Sequence, residues 1–340
     1  MLEDMPTGDI IKSTDNNLDN YFGLFYVTVE VPDNIKLPPL PFRYKGLTYY
    51  PVGKWSGWYT SELLKYVRDN YNINVYVHYG YKYDRTPNLF KNYIEKYFDI
   101  KKKSVNNEGR KLISKLMLNS LYGRWGLKYI SFITEILPNN KAKEISIVYQ
   151  VVENFMFDKE RKLEYIKYNI APNDALYHID EDFYRNIKMK GERDSDFIIR
   201  SVGIAAMVTA NAMVYMDKFI NSPDNICYYT DTESGFFKYQ LKPKFVGDNI
   251  GQFKYLGLVK RAYFIPPKLY CLVMDDGRTI IKSKGLPSKN LTEKDFIDML
   301  HGDYKIFNLK RFKKDLKNFN ISHILTTIKI KPNILKREPI

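Results

Sequence analysis

Two short stretches of the 340-residue chain carry residue types whose spacing can do chemistry. Residues 225–239 read NICYYTDTESGFFKY. Aromatic and apolar runs flank Thr230-Asp231-Thr232-Glu233-Ser234, which predicts strand, tight turn, strand. Asp231 and Glu233 stand two apart and can project to one side of an extended segment. Two close carboxylates repel unless a proton or cation lies between them. Hard divalent cations such as Mg²⁺ take oxygen ligands and bridge to substrate phosphates. An acidic hairpin tip in water is the alternative for so short a segment.

The second stretch, residues 111–126, reads KLISKLMLNSLYGRWG. At ~100° per residue, a helix with Lys111 at zero puts Tyr122 near ~20°, Lys115 near ~40° and Asn119 near ~80°. Four polar or aromatic groups thus share one narrow face, leaving Leu112, Ile113, Leu116, Met117 and Leu121 free to pack elsewhere. Two lysines one turn apart repel, and an anion such as a triphosphate between them reverses that penalty. A tyrosine one turn on offers a flat surface to a base. Gly123 permits close backbone approach or the end of the helix. Read on spacing alone, an amphipathic helix with a solvated basic face is the favoured account.

The surrounding elements must position these groups. Residues 24–31 alternate like a strand, ended by Pro32. Residues 36–60 are rich in Pro, Gly and aromatics, which predicts short strands and turns. Ser61 is the expected cap of a helix over 62–70. Residues 72–83 read as a strand, and 89–98 and 108–122 as helices. Strand-like pieces and charged loops mix over 127–195. A helix is expected over 197–220, then strands around 225–239 and 262–284. From Thr292 onward the pattern reads as mostly helical, with a strand-like end near 325–331.

Composition narrows the class. The chain is 44% hydrophobic and 27% charged, with a net charge of +14. That is globular composition with an implied polyanionic partner. No apolar run approaches the length of a spanning helix. Met1–Ile10 is neither a signal nor a transit peptide. Cys227 and Cys271 lie in apolar surroundings without zinc spacing and read as buried free thiols. Lys, Asn, Ile and Tyr are abundant, as AT-rich codons produce.

Lys115-Leu-Met-Leu-Asn119-Ser120-Leu-Tyr122-Gly123 resembles the Lys-x3-Asn-Ser-x-Tyr-Gly motif of family B DNA polymerases. There the helix belongs to the fingers: its Lys holds the incoming nucleotide's phosphates, and its Asn and Tyr shape the base-pair pocket. Lys111, and less directly Lys101, stand where protein-primed members place further phosphate-binding lysines. Tyr229, Asp231, Thr232 and Ser234 resemble the family's Tyr-x-Asp-Thr-Asp-Ser motif. Glu233 departs from it, moving a metal-binding carboxylate by about 1 Å, a misplacement that costs on the order of a hundredfold in rate. Lys268-Leu-Tyr270 resembles the Lys-x-Tyr motif that contacts primer terminus and template, followed by a strand and a turn at Gly285. A surface strand lysine beside a packed tyrosine also fits those three residues. The stretch GKWSGWY resembles polymerases of fungal mitochondrial linear plasmids.

The resemblance implies an α+β palm, fingers and thumb, without the N-terminal exonuclease domain and the first palm motif, Asp-x-x-Ser-Leu-Tyr-Pro. The Met1–Gly8 stretch resembles the residues immediately C-terminal to that motif. The implied layout is partial palm with a first insertion over 1–98, fingers over 99–126, a second insertion over 127–196, palm over 197–285 and thumb over 286–340. Between Lys305 and Glu338 ten Lys or Arg face two acidic residues, which suits a phosphate-tracking thumb or a solvated helix face. The implied activity is template-directed nucleotidyl transfer, with Asp231 and Glu233 as metal-binding catalytic residues in a two-Mg²⁺ site. Lys101, Lys111, Lys115, Asn119 and Tyr122 are the implied nucleotide contacts. Tyr229, Thr232, Ser234, Lys268 and Tyr270 are the implied DNA contacts. The implied partners are primer-template DNA, deoxynucleoside triphosphates and a terminal priming protein, without a membrane. The implied setting is mitochondrial, with a virus or cytoplasmic plasmid as alternatives. Glu233 and the missing motif also fit a non-catalytic, DNA- or nucleotide-binding remnant of an integrated plasmid.

Overall fold

A computed structural model describes residues 1–127, 132–172, 181–182, 201–265, 268–284, 288–303, 305–315 and 320–330. It divides into two compact units: Met1–Gly123 with Val202–Leu309 and Thr327–Ile340, and Arg124–Ser201 with Lys310–Thr326.

The first unit opens with strands β1 (Met5–Ser13) and β2 (Gly23–Val31), a small hairpin β3 (Phe42–Tyr44) and β4 (Leu47–Tyr49), then β5 (Gly53–Thr60). Helix α1 (Ser61–Tyr71) and strand β6 (Asn74–Thr86) come after it. The four longer strands form one antiparallel sheet in the order β1-β6-β2-β5. In β2 every second residue is apolar and turned inward, so Phe25, Val27, Val29 and Val31 line one buried face. They pack with Leu63, Leu64 and Val67 of α1 and with Ala210 of a later helix. Gly80 of β6 admits the Phe25 ring: a Cβ there would lie 2.4 Å from its Cδ1.

Thr60, and not Ser61, caps α1; its side chain accepts from the Leu63 amide. Ser61 is the first helical residue, and its buried Oγ instead accepts from the Gly23 amide of β2 at 3.1 Å. The helix ends at Asn72 in the left-handed region, φ 52°.

Helices α2 (Lys91–Lys103) and α3 (Glu108–Trp125) come next. In the second unit, β7 (Phe132–Pro138), α4 (Asn139–Val148), β8 (Tyr149–Asp158) and β9 (Leu163–Pro172) build an antiparallel β7-β9-β8 sheet. Ala142 of α4 packs on Ile166 and Tyr168. The expected helix over 197–220 is α5 (Val202–Ile220); its first residues fall outside the described ones.

Asp217 of α5 is buried and fully engaged. Its carboxylate accepts from the hydroxyls of Tyr66 (3.0 Å) and Tyr71 and from Asn221 Nδ2 (2.8 Å). Burial first, then the Asp217 charge, pushes the Tyr66 hydroxyl well above its ordinary range. Asn221 also donates to the Leu37 carbonyl, tying α1, α5 and the loop before β3 together.

A hairpin of β10 (Cys227–Asp231) and β11 (Ser234–Phe237) succeeds α5. A meander β12 (Val259–Phe264), β13 (Leu269–Met274) and β14 (Thr279–Ser283) packs on α6 (Glu293–Leu300). Thr292 and Asp295 form a capping box at the start of α6. Cys271 is fully buried in this second core, and burial pushes its thiol up to about 11. Cys227 is half-buried, more open than its apolar setting implied.

The remainder departs from the helical expectation. Among its described residues α6 is the one α-helix; β15 (Lys305–Asp315) and β16 (Asn320–Ile330) pair as a two-stranded ribbon. NISHILTTIKI is dense in β-branched residues, which favour extended backbone, and the basic charge carried no helical signal of its own.

Candidate active site

The carboxylate hairpin is held from both sides. Successive residues of a strand face opposite ways, so Phe236 and Phe237 of β11 reach two different neighbourhoods. Phe237 meets Phe219 of α5 and Phe253, with ring centroids 6.4 and 6.2 Å apart. Phe236 joins its cross-strand partner Tyr229, together with Phe264 of β12 and Tyr270 of β13. Tyr229 and Phe264 stack at 4.7 Å with planes 5° apart. Such ring pairs add about 0.5–1.5 kcal/mol each beyond the area they bury.

This clamp fixes the turn. Asp231 closes β10 opposite Ser234, and Ser234 Oγ donates to the Asp231 carbonyl at 3.1 Å. Thr232 takes φ 59°, as a two-residue turn demands. Glu233 is therefore placed by the turn and is exposed; strand alternation does not govern it.

Lys268 meets Asp231 from the opposite sheet. It sits at φ 66°, just before β13. Its amide donates to the Tyr229 hydroxyl at 2.8 Å, and its ammonium forms an ion pair with Asp231 Oδ1. The hydrogen bond to Asp231 holds the ammonium above the ordinary lysine range. The structure thus brings Tyr229, Asp231, Lys268 and Tyr270 into one constellation, with Thr232, Glu233 and Ser234 at its rim. The Met1 amino group lies within reach of this charge: burial lowers it, against the pull of Glu3 and Glu233.

The helical face is built differently. Lys111, Lys115, Asn119 and Tyr122 are all exposed along α3. Lys111 pairs loosely with Glu108 at 3.5 Å. Lys101 lies in the last turn of α2, its ammonium 5.6 Å from the Phe98 ring centre. The Tyr93 hydroxyl donates to the Met117 carbonyl, joining the two helices. Contrary to expectation, Leu112, Ile113 and Leu116 do not pack; they are 58%, 61% and 56% exposed. Periodicity put them on the rest of the circumference, away from the polar groups, and there they stand largely in water. Among the described residues Lys115, Asn119 and Tyr122 make no hydrogen bond or ion pair with the hairpin. Gly285 lies outside the described residues.

Sequence reasoning missed Phe236, Phe264, Phe219 and Phe253, whose rings hold the hairpin. The cross-strand pairing of Tyr229 with Phe236 was the available signal.

The comparisons with known proteins agree on one family. Residues 1–226 match the family model described as DNA polymerase type B, organellar and viral. This chain belongs to that family. A probable DNA polymerase of Podospora anserina is 33% identical over 296 residues, covering 82% of this chain and 24% of the relative. One of Agaricus bitorquis is 28% identical, covering 97% of this chain and 43% of its own length. The chain thus spans less than half of these curated relatives. Phi29 DNA polymerase, solved with primer-template DNA and incoming nucleotide substrates, superposes with a TM-score of 0.64 at 16% identity. That likeness covers 98% of this chain and 55% of the phi29 chain, so the α+β fold is that of a partial type B polymerase domain.

Type B polymerases work with divalent metal ions. Asp231 and Glu233 supply hard oxygen donors suited to one, and Asp231 already draws a cation, the Lys268 ammonium. Among the described residues no cluster of three or more His, Cys, Asp or Glu side chains gathers. The donor set therefore fits a divalent ion in part, with two carboxylates. No helix among the described residues is long and apolar enough to cross a membrane.

Proposed function

We propose that this chain carries the nucleotide- and DNA-contacting part of a DNA-directed DNA polymerase of the protein-primed type, serving linear DNA. The observation that carries the reading is the clamped Asp231–Lys268 pair, in the same chain as a helix bearing Lys-x3-Asn-Ser-x-Tyr-Gly. Lys111 and Lys115, with Lys101, neutralise the triphosphate, which lowers the cost of charge building on the leaving group. Asn119 and Tyr122 shape the pocket for the new base pair. Lys268 and Tyr270 grip the primer terminus, and Tyr229, Thr232 and Ser234 line its approach. Asp231 and Glu233 hold Mg²⁺; when bound, such ions stabilise the entering and leaving oxygens of phosphoryl transfer.

The regions 1–98, 99–126, 127–196, 197–285 and 286–340 act in this reading as palm with first insertion, fingers, second insertion, palm and thumb. The compact unit holding Arg124–Ser201 supports the second insertion. Primer-template DNA, deoxynucleoside triphosphates and a terminal protein are the proposed partners. The fungal relatives and the organellar family description support a mitochondrial setting.

A second reading, a DNA-binding remnant without catalysis, is favoured by Glu233 at the place of the family's second aspartate. Primer extension separates the two: on the second reading the chain binds primed DNA at low salt and does not extend it. Template-dependent incorporation above an Asp231→Ala control would show that the site is competent as it stands. Lys115→Ala is expected to weaken nucleotide binding about tenfold and Lys313→Ala to leave it unchanged; equal losses would remove α3 from the proposed role.

A further inference from the structure

The sheet β1-β6-β2-β5 buries one face and leaves the other open. On the open face Tyr26, Trp58, Tyr79 and Tyr81 form a connected surface of rings. Tyr26 lies 5.7 Å from Trp58 and 5.5 Å from Tyr79, and Trp58 stacks on Tyr81 at 5.8 Å. Trp58 is 46% exposed, and Tyr76, further along β6, is 49% exposed. Cations lie over this surface: Lys12 Nζ is 5.6 Å from the Tyr79 ring centre, and Lys54 Nζ is 5.6 Å from that of Tyr76. Between them Thr28 Oγ1 is hydrogen-bonded to Ser56 Oγ (2.8 Å) and His78 Nε2 (2.7 Å), a fixed polar row among the rings.

We propose that this face binds single-stranded DNA, its bases stacking on the exposed rings and its phosphates meeting Lys12 and Lys54. Half-exposed rings on a rigid antiparallel sheet, with ammonium groups held among them, are what unpaired bases and their phosphates require. A protein partner would ask for a desolvated core poor in charge, whereas this face interleaves lysines and hydroxyls with its rings. Glu30, opposite Lys54 in the register, is the carboxylate at that end of β2. A duplex hides the base faces that the rings would stack on. The choice of DNA rests on the polymerase reading; the choice of a single strand rests on the rings.

The test is fluorescence anisotropy of a labelled sixteen-nucleotide oligo-dT, and of a hairpin duplex, titrated with the whole chain at low salt. Trp58→Ala is expected to weaken oligo-dT binding roughly tenfold, about one lost base stack, and to leave duplex binding unchanged. Trp58→Phe, which keeps a ring, is expected to retain most of the affinity. Should Trp58→Ala not fold, Tyr76→Ala carries the same test. Replacing Lys12 and Lys54 together with Ala is expected to flatten the salt dependence of oligo-dT binding by about 1.4 in log–log slope. Unchanged oligo-dT affinity in the ring variants, or an equal loss on duplex, overturns the inference. Neither result touches the polymerase reading, which stands on Lys115 and Asp231.

Discussion

The β10–β11 hairpin and helix α3 carry the same kind of cargo, charged groups suited to phosphate chemistry, on opposite terms. Three rings from three strands lock Tyr229 beside Lys268, and Asp231 has a partner already. Along α3 the lysines and Asn119 point to solvent, and the neighbouring leucines do too. Preorganised donors contribute most where charge develops during reaction. A solvated face suits capture of a ligand that brings its own charge. The contrast predicts that the hairpin responds to substitution through stability and the helix through binding alone.

The sharpest way to break that contrast is Phe264→Ala. Removing the ring stacked on Tyr229 is expected to destabilise the chain by about 3 kcal/mol, read as a lower urea midpoint. A change under about 0.5 kcal/mol would mean that the clamp holds nothing in place. Tyr229→Phe deletes only the hydroxyl that accepts from the Lys268 amide and should cost about 1 kcal/mol by the same measurement. Lys268→Met should cost less, under about 1 kcal/mol near pH 8, because the pair is part-exposed. The sign with pH is fixed: the folded ammonium is held above its unfolded value. Its contribution is therefore full below the ordinary lysine pKa of about 10.4 and is lost as pH rises through the raised one. The gap between variant and wild type should close in alkali. Leu116→Gln is expected to move stability within about 0.5 kcal/mol; a loss of about 2 kcal/mol or more would show that α3 is covered after all.

Much of the hairpin was legible because its signals are local. A turn-forming Thr-Asp-Thr-Glu-Ser between aromatic runs specifies strand, turn, strand without help from distant residues. The lysine that pairs with Asp231 comes from 37 positions away; only a motif of three residues pointed to it. Phe264 was invisible as a site residue because a phenyl ring announces burial and nothing about what it supports; Phe236 was open to inference only through its pairing with Tyr229 across the turn. Periodicity on α3 told which residues share a side and could not tell whether anything lies against that side. The stretch from Thr292 onward was read as mostly helical up to a strand-like end near 325–331, while the β-branched run Asn320–Ile330 favours extended backbone from its start. At α1 the boundary moved by one residue because the Ser61 hydroxyl had a stronger claim on it from β2.

The β15–β16 ribbon has a consequence for handling the protein. Among the described residues these two strands pair with each other alone, and the ribbon also shows Ile306, Phe312, Ile321 and Leu325 to water. Bare strand edges recruit their own copies unless like charge keeps them apart. Lys310, Arg311, Lys313 and Lys314 supply that repulsion, and it reaches only about 3 Å in molar salt against about 10 Å at a tenth of that. Concentrated salt, which ordinarily strips nucleic acid from a basic protein during purification, should therefore drive this one toward precipitation.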